Sequence, residues 1–467
     1  MKRNFKKAAV GLAALSLIAA ACGDDDDAAE PAAEPAAEPA AEPAAEPAAE
    51  PAGTSILNGE IQCEQQYAGK KVTIFSPVRN TDTDLAIPDF VAGYDPLVEC
   101  TGVEIDWQGT DQFETEINVR LEGGDPPDVI DYPQPGLMRA HIEKGFLSEL
   151  PADVAAHTTS DFAAGWDVYA SSADGTIYGV PGRSSVKSMV WYSPSAFADA
   201  GYAIPGTLED LTALSEQIVA DGGAPWCVGA ESGVATGWVL TDWIEDFMLR
   251  VSGGDVYDQW VNHEIPFNDP QVKAAVDAVG AIVKNADYLG GENNVKAIAT
   301  TKFQDGGLPI ITGDCFMHRQ ASFYVGSWPE GTVTAPDGDI WFFYLPSPAD
   351  GPKFVLGAGD IYAAATDKPE SFDVVRYTGS AEYQLSIANS RNELGPNLNL
   401  DLDAIEDPFL RAVAELNGSA EVFRFDGSDL MPGAVGAGTF WTEITAWVIG
   451  GDTDTFLQNV EDSWPAS

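Results

Sequence analysis

The stretch VEIDWQGTDQFETEINVRLEGGDPPDVIDY, residues 103–132, decides the fold class. Val103 to Trp107 alternates apolar and acidic side chains, the period-two pattern of a half-buried strand. Thr110 stands as an N-cap ahead of Asp111 to Glu122, where Phe113, Ile117 and Leu121 recur at i, i+4 and i+8. Gly123-Gly124 stops that helix, and Pro127 introduces a second strand, Asp128 to Tyr132. Strand, helix and strand in this order predict a βαβ unit, with parallel strands and a right-handed crossover.

The same alternation extends outward. Upstream, Val72 to Phe75 is a short apolar run leading into a Ser76-Pro77 loop, and Pro88 to Cys100 carries apolar residues at helical spacing. Downstream, Leu137 to Lys144 is helix-like and closed by Gly145. A second block begins near Gly182. Met189 to Tyr192 predicts a strand, and Thr207-Leu208-Glu209-Asp210 a capping box opening a helix to about Ala220. Trp226 to Ala230 predicts another strand. Helices follow at Trp238 to Val251, Val272 to Ala286 and Val295 to Phe303, then strands at Pro309 to Thr312, Ile340 to Leu345 and Ile361 to Ala365. From Glu370 the pattern is mostly helical, with breaks near Gly395 and at Met431 to Gly438. The expected class is α/β, in two lobes. In such sheets a ligand lies beyond the carboxyl ends of the strands, which two lobes can turn toward each other across a cleft.

The chain has 467 residues, enough for two or three domains, with 24 basic against 73 acidic residues and a net charge of −49. Such a body repels polyphosphates, which argues against nucleic-acid binding. Lys2, Arg3, Lys6 and Lys7 precede an apolar run from Ala8 to Ala21, too short to span a bilayer at about 20 residues and suited to a secretory signal. Ala19-Ala20-Ala21-Cys22-Gly23 resembles a lipobox, so residues 1–22 read as a lipoprotein signal with Cys22 as the lipidated residue; an uncleaved short anchor is the competing reading. Either places the body outside the cytoplasm. Asp24 to Asp27 and a Glu-Pro-Ala-Ala repeat from Glu30 to Pro51 read as an acidic tether over 23–60. Beyond it the body keeps 63 acidic and 20 basic residues, a net −43 that reads as a solvated surface. Cys63, Cys100, Cys227 and Cys315 suggest two disulfides; of three possible pairings, Cys63–Cys100 with Cys227–Cys315 is favoured. There is no Cys-x-x-Cys, nucleophile elbow, Walker loop or His-x-x-x-His pair, so no cofactor or metal is expected, and Asp82 and Asp84 read as a solvated loop.

Several later segments are more specific: PWCVGAESG at 225–233 followed by Thr236-Gly237-Trp238, TDWIED at 241–246, GDCFMHRQASF at 313–323, and Met431-Pro432 with Phe440-Trp441. With the lipobox, the tether and two α/β lobes, they resemble the extracellular solute-binding proteins of ABC sugar importers, in the maltose-binding-like group, and within it the alpha-glucoside-binding lipoproteins. The resemblance implies a periplasmic-binding-protein-like fold, two lobes joined by a multi-strand hinge. The expected division is 61–182 with 315–366 as lobe 1 and 183–314 with 367–467 as lobe 2, the chain crossing near Val180 to Lys187, returning near Cys315 and crossing again around Thr366. It also implies a monomer, lipid-anchored to the cell membrane, that captures a neutral oligosaccharide such as maltose or trehalose and releases it unaltered to a membrane permease.

A pyranose presents apolar CH faces and a rim of hydroxyls, so it needs aromatic platforms and planar polar groups. The resemblance and the positions at strand ends nominate Tyr132, Glu231, Trp238, Arg319 and Trp441. To these are added Ser76 and Arg79 after the first strand, Arg183 at a crossing between lobes, and Gly359-Asp360, where the backbone could approach a ligand and Asp360 accept from it. Trp243 and Phe247 share a helical face and read as core; Arg183 and Asp242 also fit structural ion pairs. Two alternatives remain: a secreted glycosidase, which needs two carboxylates about 5–10 Å apart across a cleft, and a binding protein for glycerol phosphate or a polyamine. A phosphate would demand a cationic cluster, for which Arg79, Arg183 and Arg319 are the candidates.

Overall fold

The computed structural model describes residues 55–81, 85–163, 165–290, 295–405 and 407–465. The signal, Cys22, residues 23–54 of the tether and the Asp82–Asp84 loop lie outside the described residues. Residues 55–60, expected in the tether, already belong to the body. Ser55–Ile56 pairs with Ile61–Gln62, and Glu60 meets His157 at 2.9 Å and Arg376 at 3.3 Å. Ile56 and Leu57 carry enough apolar surface to pack on the core around Ile61 and Tyr67.

The predicted βαβ units form the main sheet. Glu104–Gly109, Lys71–Ser76, Val129–Tyr132, Phe354–Ala364 and Val422–Phe425 lie side by side in that order, and Gly179–Val186 also pairs with Phe354–Ala364. The first three are parallel, with Ile74 opposite both Trp107 and Val129. Alternation along Lys71–Ser76 sends Val72 and Ile74 to one face, among Phe90, Tyr94, Leu97 and Tyr377, and Phe75 to the other, among Phe113, Ile117, Ile130 and Tyr132. Both faces are thus covered by helices, as a parallel sheet requires. The helix Phe113–Gly123 starts two residues later than Asp111: Gln112 is its N-cap, and the Thr110 hydroxyl accepts from the Gln112 N–H instead.

The second lobe differs from expectation. Its sheet is small and antiparallel, with Met189–Tyr192 between Met317–Arg319 and Trp341–Tyr344. Trp226 makes only isolated bridges to Leu289 and Met317, because Gly229 turns the chain close against the Lys302 carbonyl. Pro309–Thr312 is a helical turn rather than a strand: Pro309 occupies the first position and Gly313 closes it in the left-handed conformation. Val295–Ala299 and Phe303–Asp305 are 3-10 turns. The capping box at Thr207 and Asp210 is present, and the helix Leu208–Ala220 follows it.

The chain crosses between lobes at Gly179–Val186 and Phe354–Ala364, which pair antiparallel from Gly357↔Val186 to Ala363↔Gly179. The return therefore falls at 354–364, not near Cys315. Met317, Phe343 and Leu345 pack with Val190, Trp226 and Trp243 in the second lobe. The last crossing comes after Arg391 rather than around Thr366, because Val374, Val375, Tyr377, Tyr383 and Ile387 bury against the first lobe's Val72, Ile74, Tyr94 and Leu97. Leu400 to Leu416 then pack beside Met189 and Trp191. Cys63 is bonded to Cys100 and Cys227 to Cys315, with Cα atoms 4.3 and 5.8 Å apart. No helix among the described residues is long and apolar enough to cross a membrane.

Candidate functional site

All three parallel strands of the first lobe deliver their carboxyl ends to one cavity of about 280 Å3. Lys71–Ser76 leads to Pro77, Val78 and Arg79; Glu104–Gly109 to Thr110 and Asp111; Val129–Tyr132 to Pro133 and Gln134. Glu114 is added by the helix that follows. The second lobe supplies Ser232, Trp238, Phe303, Phe323, Trp441 and the Asp426–Asp429 turn, and the crossing strands supply Arg183, Lys187, Gly359 and Asp360. The lobes close on one another at one edge: Gly233 sits so near Asp111 that a Cβ there would lie 2.8 Å from the Asp111 carbonyl oxygen.

The aromatic wall depends on one glycine. Gly237 has φ of 120° and lies directly beneath the Trp441 carbonyl, where a side chain would collide. It lets the helix Trp238–Ser252 begin against Phe440–Val448 and so brings Trp238 and Trp441 to the same cavity. The Trp238 ring meets Phe303 edge-on at 5.1 Å and Phe323 at 5.9 Å, and carries the Lys187 ammonium 5.6 Å from its centroid.

Beneath that wall lies a buried charge network. Lys187 Nζ donates to Asp242 at 2.9 Å and to Asp426. Arg319, 0% exposed, pairs with Asp242 at 3.2 Å and with Asp246, through Nε at 3.0 Å and also through Nη2. Arg250 holds the other Asp246 oxygen at 2.8 Å. Glu245 accepts the backbone N–H groups of Gly427 and Ser428, both at 3.0 Å, and so fixes the Asp426–Asp429 turn. Burial works against ionisation of Asp426, but Lys187 and the Asp429 N–H overcome it and hold the carboxyl at about 2. Burial, then the Asp426 charge, pushes Asp429 well above the usual carboxylate range. Asp242, Glu245 and Asp426 bring one oxygen each within 4.8 Å of one another, the spacing of a metal site. The Lys187 ammonium already supplies positive charge to two of the three.

A second network spans the crossing strands. Arg183 pairs with Asp360, its partner across the two strands, and reaches Glu393 at 2.8 Å and Asp131 at 3.6 Å, with its guanidinium 5.0 Å from the Phe90 ring centre. Among the described residues all four cations of the cavity wall are engaged: Arg79 lies 3.7 Å from Asp111 and Arg391 3.4 Å from Asp89.

Of the residues nominated from sequence, Arg79, Arg183, Trp238, Gly359, Asp360 and Trp441 line the cavity. Four do not. Ser76 and Tyr132 are one residue too early. As the last residues of their strands they point into the layers beneath, Ser76 donating to Asp131 at 2.7 Å and the Tyr132 hydroxyl bonding His141 Nδ1 at 2.7 Å. Glu231 turns back to accept from the Gly233 N–H at 2.8 Å. Arg319 is consumed by Asp242 and Asp246. Gly359 admits the Trp166 ring and the Arg183 carbonyl rather than opening the backbone to a ligand. Residues not nominated include Glu114, Gln134, Lys187, Phe303, Phe323, Glu393, Asp426 and Asp429. Three acids at 242, 245 and 246 within a largely apolar helix were the available signal, since such a helix buries them only against cations or hydrogen-bond donors.

A family model described as bacterial extracellular solute-binding protein matches residues 86–384. The osmoprotective compounds-binding protein GgtB of Synechocystis sp. is 40% identical over 374 residues, 79% of this chain and 87% of that protein. The alpha-glucosides-binding periplasmic protein AglE of Rhizobium meliloti is 38% identical over 410 residues, 85% of this chain and 87% of that protein. Among solved structures, the solute receptor AcbH, described as having an exclusive preference for β-D-galactopyranose, superposes with a TM-score of 0.72 at 17% identity, over 85% of this chain and 98% of that one. Maltose-bound MalE3 of T. maritima gives 0.64 at 16% identity, over 84% and 98%. Two lobes on paired crossing strands, a cavity fed by strand ends, and these matches lead to one assignment: the chain belongs to the bacterial extracellular solute-binding proteins.

Proposed function

We propose that this protein captures a small neutral α-glucoside, in the size range of maltose or trehalose, in the cleft between its lobes and passes it unaltered to a membrane permease. The observation that carries this reading is the wall itself: Trp238, Phe303, Phe323 and Trp441 supply apolar faces beside a rim of carboxylates and amides that accept from hydroxyls. A volume of about 280 Å3 lies just below the usual range of ligand pockets, about 300–1,000 Å3, which favours one or two sugar rings over a long chain. The relatives named for alpha-glucosides and for osmoprotective compounds support the same class. A phosphate ester is disfavoured, since each cation of the wall already has a carboxylate within 4 Å. The reading includes a lipid anchor at Cys22 and a monomeric body.

A thermal-shift screen over maltose, trehalose, sucrose, glycerol 3-phosphate and spermidine tests it. Ligand at a hundredfold excess over Kd adds about 2.7 kcal/mol to stability and raises Tm. At least one α-glucoside is expected to do so, without hydrolysis of a nitrophenyl α-glucoside. Response only to spermidine or glycerol 3-phosphate, or catalytic turnover of the nitrophenyl substrate, would replace the proposal.

A further inference from the structure

Two carboxylates face the cavity from opposite lobes without a cation. Glu114 comes from the first-lobe helix Phe113–Gly123, and Asp429 from the second-lobe turn Gly427–Leu430. Asp429 is only 8% exposed, and its carboxylate makes no hydrogen bond and no ion pair among the described residues. Glu114 accepts from Gln134 Nε2 at 3.1 Å and has no ion pair among the described residues. Every other acid of the wall among the described residues is paired, Asp111 by Arg79, Asp360 and Glu393 by Arg183, Asp242 and Asp426 by Lys187.

The charges around Asp429 are Asp426 on its own turn, Asp242 and Glu245 on the helix Trp238–Ser252, Lys187 on the crossing strand and Glu114 across the cleft. Lys187 is the one cation in this set, and both its partners are carboxylates other than these two. A buried anion with no counter-charge either keeps a proton or takes a cation from outside. Burial pushes both Glu114 and Asp429 above the ordinary carboxylate range, the sign of a site that lacks a counter-charge. An ammonium group seated between them would supply that charge and be bound from both lobes at once.

We propose that Glu114 and Asp429 form a cation-accepting subsite in the cleft, so that an ammonium-bearing glycoside binds more tightly than the matched neutral sugar. This rests on the cleft being a glycoside site. The test is calorimetric titration at pH 7 with the tightest α-glucoside of the screen and with each of its mono-amino-deoxy isomers. At least one isomer is expected to bind on the order of tenfold more tightly than its neutral parent. Asp429→Asn and Glu114→Gln should each bring the ratio of the two Kd values toward one. Should Asp429→Asn fail to fold, the less buried Glu114→Gln carries the comparison. Amino isomers that all bind no better than the parent, or an advantage that survives the substitutions, overturn the subsite and leave the sugar reading intact. Absence of binding by every glycoside, neutral or amino, sinks the sugar reading and the subsite with it.

Discussion

Arg319 separates a ligand-binding role from a structural one. Sequence alone nominates it as a sugar contact; the structure spends all three of its nitrogens on Asp242 and Asp246. Arg319→Met keeps the length of the side chain and removes three charge-assisted hydrogen bonds, each contributing about 1.5–3 kcal/mol. The loss is smaller than that sum, because Asp242 keeps Lys187 and Asp246 keeps Arg250. Breaking a buried pair typically costs about 3–5 kcal/mol. Unfolding entropy of about 2 cal/mol/K per residue over the folded body corresponds to a fall in Tm of roughly 4–6 °C. Differential scanning calorimetry without ligand, at pH 8 where the acids are most ionised, reads that shift directly. A variant that melts with the wild type yet loses sugar affinity would refute the assignment and return Arg319 to the ligand.

The two tryptophans should respond differently. Trp238→Ala removes a half-buried ring from the cavity wall and should weaken sugar binding by about 1–3 kcal/mol, roughly 5- to 150-fold, with a modest loss of Tm. Trp441 is 2% exposed and its carbonyl packs on Gly237, so Trp441→Ala should cost about 3–5 kcal/mol of stability as well as affinity; equal melting of the two variants would contradict this. Stability should also peak in mildly acidic buffer. Glu114 and Asp429 are raised mainly by burial. Asp242 is raised to about 7, by burial first, against the pull of Lys187 and with Asp426 adding to the rise. The folded state holds these protons more tightly than the unfolded one, so their stabilisation is full below about 4 and is lost as pH rises toward 7. Asp426, lowered to about 2, works in the opposite sense: its contribution is present above about 4 and lost as pH falls toward 2. A Tm that climbs steadily from pH 5 to 8 would show that the raised acids do not dominate.

The parts legible in sequence were those governed by local periodicity. The three parallel strands, their helices and the rule that ligands sit beyond strand ends located one wall of the cavity to within a residue or two. Ser76 and Tyr132 missed by a single position, because the alternation that identifies a strand also turns its last side chain inward, and the loop beyond it does the contacting. The first crossing, expected near Val180 to Lys187, falls at Gly179–Val186; the return and the last crossing were not legible, since a strand that leaves one lobe and enters another keeps the same apolar pattern in both. Only the pairing of Gly179–Val186 with Phe354–Ala364, about 170 to 185 residues away, fixes where the lobes divide. Charge was the least legible layer, for a related reason. With 20 basic residues in a body holding 63 acids, nearly every buried cation serves several carboxylates, and which acids remain unserved is set by tertiary placement. Lys187 can neutralise Asp242 and Asp426 because the crossing strand carries it under the Trp238 ring. Asp429, three residues beyond Asp426, falls outside its reach and stays bare at the cavity wall. That scarcity leaves the described cavity wall with more hydrogen-bond acceptors than uncommitted cations, and the proposed preference for hydroxyl and ammonium groups over anions rests on this balance.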